Sequence, residues 1–261
     1  MDLFLPRVCA SCGAGLVARE TEISPIDAVL CSPCRRALPL LEPGGCLLCQ
    51  LPTSDFTVSP HAEVDTRLAD TRTDKHCPRC RAEASPLSAC VATVAFSGSA
   101  ENWVYDFKYP RNGIAGLAPG PESVVVALAR QAARTAMHGS ALPLPDGVFP
   151  IPLHPRRLRE RGFNPAATLA KAIAREVGAP LSTHILSRNR DNPTQTHLGR
   201  RQRQANVRGA FSCQSAAPKT VWLVDDVVTT RSTLEEAARC LRRAGARHVV
   251  GICAARTLQT L

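Results

Sequence analysis

Four Cys-x-x-Cys pairs constrain the first 88 residues of this chain more than any other feature: Cys9/Cys12, Cys31/Cys34, Cys46/Cys49 and Cys77/Cys80. A pair at this spacing makes a tight knuckle that turns two thiolates toward one point, and two knuckles complete a tetrahedral sulfur site suited to zinc. The intervals of 18 residues between Cys12 and Cys31 and 27 between Cys49 and Cys77 let neighbouring knuckles close on each other. A disulfide framework would need an oxidising compartment that nothing in the sequence indicates. A redox Cys-x-x-Cys is not arranged as four copies within about 70 residues. So short a segment buries too little apolar surface to fold alone, so up to two zinc ions are expected in a structural role. The stretch Leu51–His76 is polar and rich in Pro, Thr and Asp, and reads as a mobile loop. Cys90, Cys213, Cys240 and Cys253 lack partners at ligand spacing and are expected to be buried as small apolar side chains.

Charge divides the chain near the same place. Residues 1–100 hold 9 basic and 11 acidic side chains, whereas the remaining 161 hold 23 and 11, a net charge of +12. This break predicts a Cys-rich double zinc-ribbon module over residues 1–88 and a larger basic domain over 89–261. Only 11 residues are aromatic, so the second domain must build its core from Val, Leu, Ile and Ala. No apolar run approaches the roughly 18 residues that span a bilayer. No charged-then-apolar leader opens the chain either. The expectation is a cytoplasmic protein without membrane insertion.

The second domain alternates strand and helix signals. Strands are expected at Ala89–Phe96, Gly147–Ile151, Pro180–Leu186, Lys219–Val224 and His248–Ala255. Helices are expected at Glu101–Tyr109, Glu122–His138, from Asn164-Pro165 to Gly178, and over Ser232–Ala244 with a left-handed cap at Gly245. Arg188–Arg203, polar and basic, reads as a loop entering a short helix. Strand, helix and strand at these lengths make an α/β fold: a parallel sheet with right-handed crossovers, flanked by helices.

The sharpest chemistry lies where the fourth of these strands meets its helix, in Val221-Trp-Leu-Val-Asp225-Asp226-Val227-Val228-Thr229-Thr230-Arg231-Ser232-Thr233-Leu-Glu235. Two carboxylates sit at the carboxyl end of a parallel strand, the edge at which open α/β sheets take ligands. A hydroxyl-rich turn and the positive end of a helix follow, an arrangement that seats a phosphate dianion. Ser232 and Glu235 have capping-box spacing. Acids for ribose hydroxyls beside donors for a phosphate describe a phosphoribosyl site. The region from 154 to 211 adds 12 basic and 3 acidic residues.

These residues resemble the phosphoribosyl-diphosphate (PRPP) motif of type I phosphoribosyltransferases, and the wider chain resembles the ComF family within that group. The similarity continues in Pro150–Leu158, Arg161-Gly162-Phe163-Asn164, Gln195, Leu198, Arg203, Asn206-Val207 and Gly209-Ala210-Phe211, and it leaves out Leu51–His76 and Arg111–Pro121. The resemblance implies a type I phosphoribosyltransferase-like sheet behind the zinc module. It implies that Asp225 and Asp226 contact the ribose and that Val227–Thr233 cradle the 5′-phosphate. His154, Arg156 and Arg157 would face a diphosphate accompanied by magnesium. Lys108 matches a family lysine without an evident physical role. Family membership also implies a part in DNA uptake (competence) or DNA metabolism, with single-stranded DNA and a protein of the uptake or repair machinery as partners. A catalytically silent scaffold, or a nucleic-acid-binding protein that reuses the fold, is the competing reading.

The sequence departs from the family pattern at Arg231, where the motif carries glycine, and at Pro165, where glutamine is usual. Glycine lets a backbone approach phosphate closely and adopt positive φ. Either Arg231 points out and the turn still binds, or its side chain partly blocks the seat.

Overall fold

The long apolar runs of the second half form the centre of a sheet. In this computed structural model, which describes residues 8–16, 24–41, 44–51, 76–110, 120–138, 142–191, 205–214 and 216–258, β1 (Ala89–Ala95), β2 (Gly147–Pro150), β5 (Thr220–Val228) and β6 (His248–Arg256) make a parallel sheet in the order β1-β6-β5-β2. β1, β2 and the first half of β5 are buried without alternation, as strands covered on both faces must be. Successive residues feed opposite layers. Trp222 and Val224 join one core with α3 (Ser99–Lys108), α4 (Pro121–His138) and α6 (Pro165–Val177). Val221 and Leu223 join a second core with α7 (Ser232–Arg243). A short antiparallel pair, β3 (Leu186–Arg188) and β4 (Phe211–Cys213), packs beside α7.

The Cys-rich segment clasps this sheet. Cys9, Ile26, Leu30 and Leu38 belong to the core under α4, whereas Cys46, Leu48, Cys77, Cys80 and Leu87 belong to the core under α7. Two five-residue helices, α1 (Ser32–Arg36) and α2 (Pro78–Ala82), begin just after Cys31 and Cys77, each with a proline in its first turn. Between the two clusters the chain runs along the outer edge of β1. Leu41 N–H donates to Thr93 O at 2.9 Å, Ala95 N–H to Pro39 O at 2.8 Å and Cys90 N–H to Leu47 O at 2.7 Å. The Gln50 side chain completes this edge: Nε2 donates to Ala92 O at 2.9 Å, and Oε1 accepts from Ala92 N–H at 2.8 Å and from Arg256 Nε at 3.0 Å. A strand edge that would otherwise invite foreign pairing is thereby closed.

Two strand expectations need correction. Pro180–Leu186 is not a strand: only Leu181 bridges to Val148, and β3 begins at Leu186 and pairs antiparallel with β4. The polar Ser182-Thr183-His184 interrupts the apolar run that a buried strand requires. β5 does not stop at Val224 but continues to Val228, because β6 supplies ladder partners as far as Arg256. Of the four later cysteines, Cys90, Cys240 and Cys253 are buried as expected and Cys213 is half-buried. Cys213 and Cys240 bring their sulfurs to 2.9 Å across β4 and α7, and Cys90 and Cys253 share a thiol hydrogen bond on neighbouring strands. Tertiary packing made both pairs, so no local spacing announced them. The expected loop at Leu51–His76 lies outside the described residues except for its two end positions, and Gln195, Leu198 and Arg203 lie outside them as well. No described helix is long and apolar enough to cross a membrane.

Replacing Gln50 by Ala leaves the buried Ala92 amide groups without partners. Such an orphaned pair costs about 1–3 kcal/mol. Denaturant unfolding of Gln50→Ala should show a lowered midpoint, and an unchanged midpoint would show that water replaces the side chain at no cost.

Candidate functional site

β5 outruns its neighbour. The pairing with β2 ends at Pro150 opposite Val224, where Ile151 N–H makes a last bond to Val224 O at 2.8 Å, and the next two residues of β5 are Asp225 and Asp226. The chain beyond β2 turns away through Pro152 into α5 (Pro155–Arg161). The strand therefore carries both acids past the end of its β2 partner while β6 still holds them from the other side.

The two carboxylates differ. Asp226 is buried and pairs with Lys108 of α3 at 3.0 Å from Nζ to Oδ2, which gives that lysine a place: it balances charge at the strand end. Asp225 keeps part of its surface open, and its carboxyl is pushed up to about 7. Desolvation is the main cause and the charge of Asp226 the second, against the opposing pull of Lys108 and Arg188. Asp225 can therefore gain or lose a proton near neutrality beside a neighbour that is paired with Lys108.

After Val228 the chain makes a tight bend into α7. Thr229 is exposed, Thr230 and Ser232 are buried with their hydroxyls 2.9 Å apart, and Thr233 is half-buried. The anticipated Ser232/Glu235 capping box is absent. Arg231, at φ 64° and ψ −4°, is the N-cap residue, and Glu235 N–H bonds Arg231 O at 2.8 Å. The Glu235 carboxylate instead accepts from Ser85 Oγ at 3.1 Å. Gly251 of β6 lets this helix start close to the sheet, since a Cβ there would lie 3.1 Å from Leu234 Cδ1 and 3.2 Å from Cys90 Sγ.

The two alternatives for Arg231 are resolved by a third outcome. Its backbone takes the left-handed conformation that suits glycine, but its side chain neither points to solvent nor fills the turn. It runs inward to Glu83, Cys80 and Glu235.

His154, Arg156 and Arg157 gather on one acid that sequence reasoning missed. Asp191 lies 3.3 Å from Arg157 Nε, 3.6 Å from Arg156 Nη1 and 3.9 Å from His154 Nδ1. His154 is also the N-cap of α5, where Nδ1 accepts from Arg156 N–H at 3.3 Å. Arg188 of β3, read from sequence as loop, links this group to the acids: its charge feels Asp225, Asp191 and Arg157 together, and its guanidinium lies 5.6 Å from the centre of the Phe211 ring. Its only sequence signal was an arginine beside an apolar run, too common a pattern to single it out.

The eight cysteines of the four pairs form two tetrads, Cys9/Cys12/Cys31/Cys34 and Cys46/Cys49/Cys77/Cys80, each with its sulfurs within 4.8 Å of one another. In the second, Cys77 N–H points at Cys46 Sγ (3.3 Å) and Cys80 N–H at Cys77 Sγ (3.4 Å), the knuckle geometry expected around a metal. Thiol hydrogen bonds from Cys49 and Cys80 hold the Cys46 thiol far below its ordinary range, whereas Cys80 is pushed up by the same contacts. Four sulfurs so placed fit a tetrahedral soft cation, and either tetrad could hold one.

No family model matches the chain. Among curated proteins it is 33% identical over 186 residues to the DNA utilization protein YhgH of Salmonella typhi, covering 70% of this chain and 78% of that one. It is 30% identical over 234 residues to YhgH of Escherichia coli K12, covering 88% and 97%. It is 27% identical over 223 residues to Competence protein F of Haemophilus influenzae, covering 84% and 93%. Solved structures that resemble it include the allosteric regulatory enzyme of purine biosynthesis, with TM-score 0.37 and 19% identity over 58% of this chain and 30% of that one. A purine phosphoribosyltransferase from Pyrococcus horikoshii has TM-score 0.30 and 18% identity over 54% and 85%. With a parallel sheet flanked by helices, a Cys-rich double tetrad ahead of it and YhgH relatives matched over nearly their whole length, the chain belongs to the ComF family.

Proposed function

We propose that the corner between β5 and α7 binds PRPP or a related phosphorylated sugar, in a protein that serves DNA uptake or DNA metabolism in the cytoplasm. One observation carries this reading: Asp225 and Asp226 stand on a strand that has outrun its neighbour, directly before the hydroxyl-bearing turn that opens α7. In this reading the ribose hydroxyls donate to the two carboxylates, and the 5′-phosphate lies over Val227–Thr233. The diphosphate, with its magnesium, lies toward His154, Arg156, Arg157 and Arg188. Transfer of the phosphoribosyl group would develop positive charge on the ribose beside the acids and negative charge on the departing diphosphate beside the arginines, the pattern that fixed charges stabilise best. Zinc in the tetrads would supply cross-links and no chemistry.

Calorimetric titration with PRPP and magnesium tests the site. Wild-type protein should bind at micromolar to millimolar PRPP, and Asp225→Asn/Asp226→Asn should weaken binding by about tenfold or more, since hydrogen bonds to charged groups contribute about 1.5–3 kcal/mol each. No heat with millimolar PRPP, or equal affinity in the double variant, would refute the assignment.

The raised Asp225 adds a pH signature. Its folded value near 7 lies above that of an unfolded carboxyl, about 3.9, so the folded protein holds an extra proton between them and this group's contribution to stability falls as pH rises through that interval. Asp225→Asn should therefore raise the melting temperature at pH 8, with a gain that shrinks toward pH 4.5. PRPP binding by the wild type should strengthen from pH 6 to pH 8 as the carboxylate ionises. A melting-temperature gain independent of pH would show that Asp225 does not titrate in this range.

The DNA role rests on similarity to a DNA utilization protein and a competence protein, and on the +12 charge of residues 101–261. Attraction of that kind is salt-sensitive and tolerant of sequence. Affinity for single-stranded oligonucleotides should fall at least about tenfold between roughly 50 and 200 mM salt. Binding that ignores salt would argue against an electrostatic DNA surface.

A further inference from the structure

We propose that Arg231 is a positioning residue that locks the turn before α7 to the Cys46/Cys49/Cys77/Cys80 tetrad, so that the shape of the turn depends on metal in that tetrad and retention of the metal depends on Arg231. The guanidinium is only 6% exposed and lies among three fixed groups. Nη2 meets Glu83 Oε2 at 2.8 Å, Nη1 meets Cys80 Sγ at 3.3 Å and Nε lies 3.4 Å from Glu235 Oε1. Cys80 is a member of the tetrad, Glu83 ends the short helix that carries it, and Glu235 stands in the first turn of α7. One side chain therefore joins the sulfur cluster, the short helix that follows Cys77 and carries Cys80, and the turn.

Each link has a physical consequence. A left-handed residue other than glycine costs roughly 1–2 kcal/mol, so the backbone of Arg231 is held at φ 64° by what its side chain gains. A buried guanidinium is tolerated only with its partners in place. Two of those partners, Cys80 and Glu83, sit on residues 77–83, where α2 has only five residues and Cys77 N–H points at Cys46 Sγ of the same tetrad. Four thiolates around a divalent cation carry a net charge of −2, and an N–H donor on one sulfur offsets part of it, as outer-sphere donors do elsewhere. Loss of the metal frees residues 77–83, removes two of the three partners of the guanidinium, and releases the turn from its strained conformation.

The test uses the full-length zinc-loaded protein and does not need PRPP. Zinc transfer to a chromogenic chelator should proceed in two steps, one for each tetrad. Arg231→Gly, which removes the side chain and accommodates the left-handed backbone, should speed one step by about tenfold and leave the other alone. Glu83→Gln, which leaves the backbone of residue 231 untouched, should speed the same step to a smaller degree. Hydrogen exchange supplies the second readout: amides 229–235 of the wild type should lose protection when that zinc leaves, while those of α6 keep theirs. In Arg231→Gly, amides 229–235 should respond little to zinc removal. Wild-type zinc release in both variants, or protection of 229–235 that ignores zinc removal in the wild type, would overturn the proposal. The coupling gains its importance from the phosphate-seat reading, but the two fail separately: absence of PRPP binding refutes that reading alone, and zinc release insensitive to Arg231 refutes this one alone.

Discussion

The site depends on a mismatch of strand lengths. β5 is held by β6 through Val228 but by β2 only through Val224, so the sheet carries Asp225 and Asp226 out to a point where one side of the strand has lost its neighbour. A ladder on one side fixes the backbone of both acids, and departure of the chain into α5 on the other brings His154, Arg156 and Arg157 round to the same end of the sheet. Had β2 continued, those cations would lie elsewhere and the acids would be sealed into the core. The chemistry of the corner is thus a product of where hydrogen bonding stops.

Charge at the corner is balanced in pairs rather than accumulated. Lys108 answers Asp226, Asp191 answers Arg156 and Arg157 of α5, and Arg188 lies within the field of both groups. In the proposed reading an anionic ligand would displace Asp191 from its partners, and a sugar hydroxyl would meet Asp225, which keeps part of its surface open. Desolvation and the neighbouring Asp226 charge push the Asp225 carboxyl up to about 7.

Much of this was legible in the sequence because it is local. Cys-x-x-Cys spacing announced both tetrads, apolar runs announced β1, β5 and β6, and the Asp-Asp-hydroxyl string marked the corner. What was not legible depends on contacts across long sequence distances. Arg231 reads as a blemish in a phosphate turn until Cys80 and Glu83, about 150 residues earlier, are placed against it. Asp191 lies 34 residues from Arg157 and looks like one acid in a basic loop. The Ser232/Glu235 spacing did mark the start of α7 at Ser232, but Glu235 accepts from the distant Ser85 and pairs with the neighbouring Arg231 rather than closing a capping box. The two later thiol pairs likewise exist only once β1 lies near β6 and β4 lies on α7.

The most direct test of the corner as a sugar-phosphate site is a crystal structure of the zinc-loaded protein grown with PRPP and magnesium. The account predicts ribose hydroxyls on Asp225 and Asp226, the 5′-phosphate over residues 227–233, and the diphosphate toward His154, Arg157 and Arg188. Ligand density at any other place, or a corner that stays closed by the Lys108–Asp226 and Arg157–Asp191 pairs at saturating ligand, would contradict it.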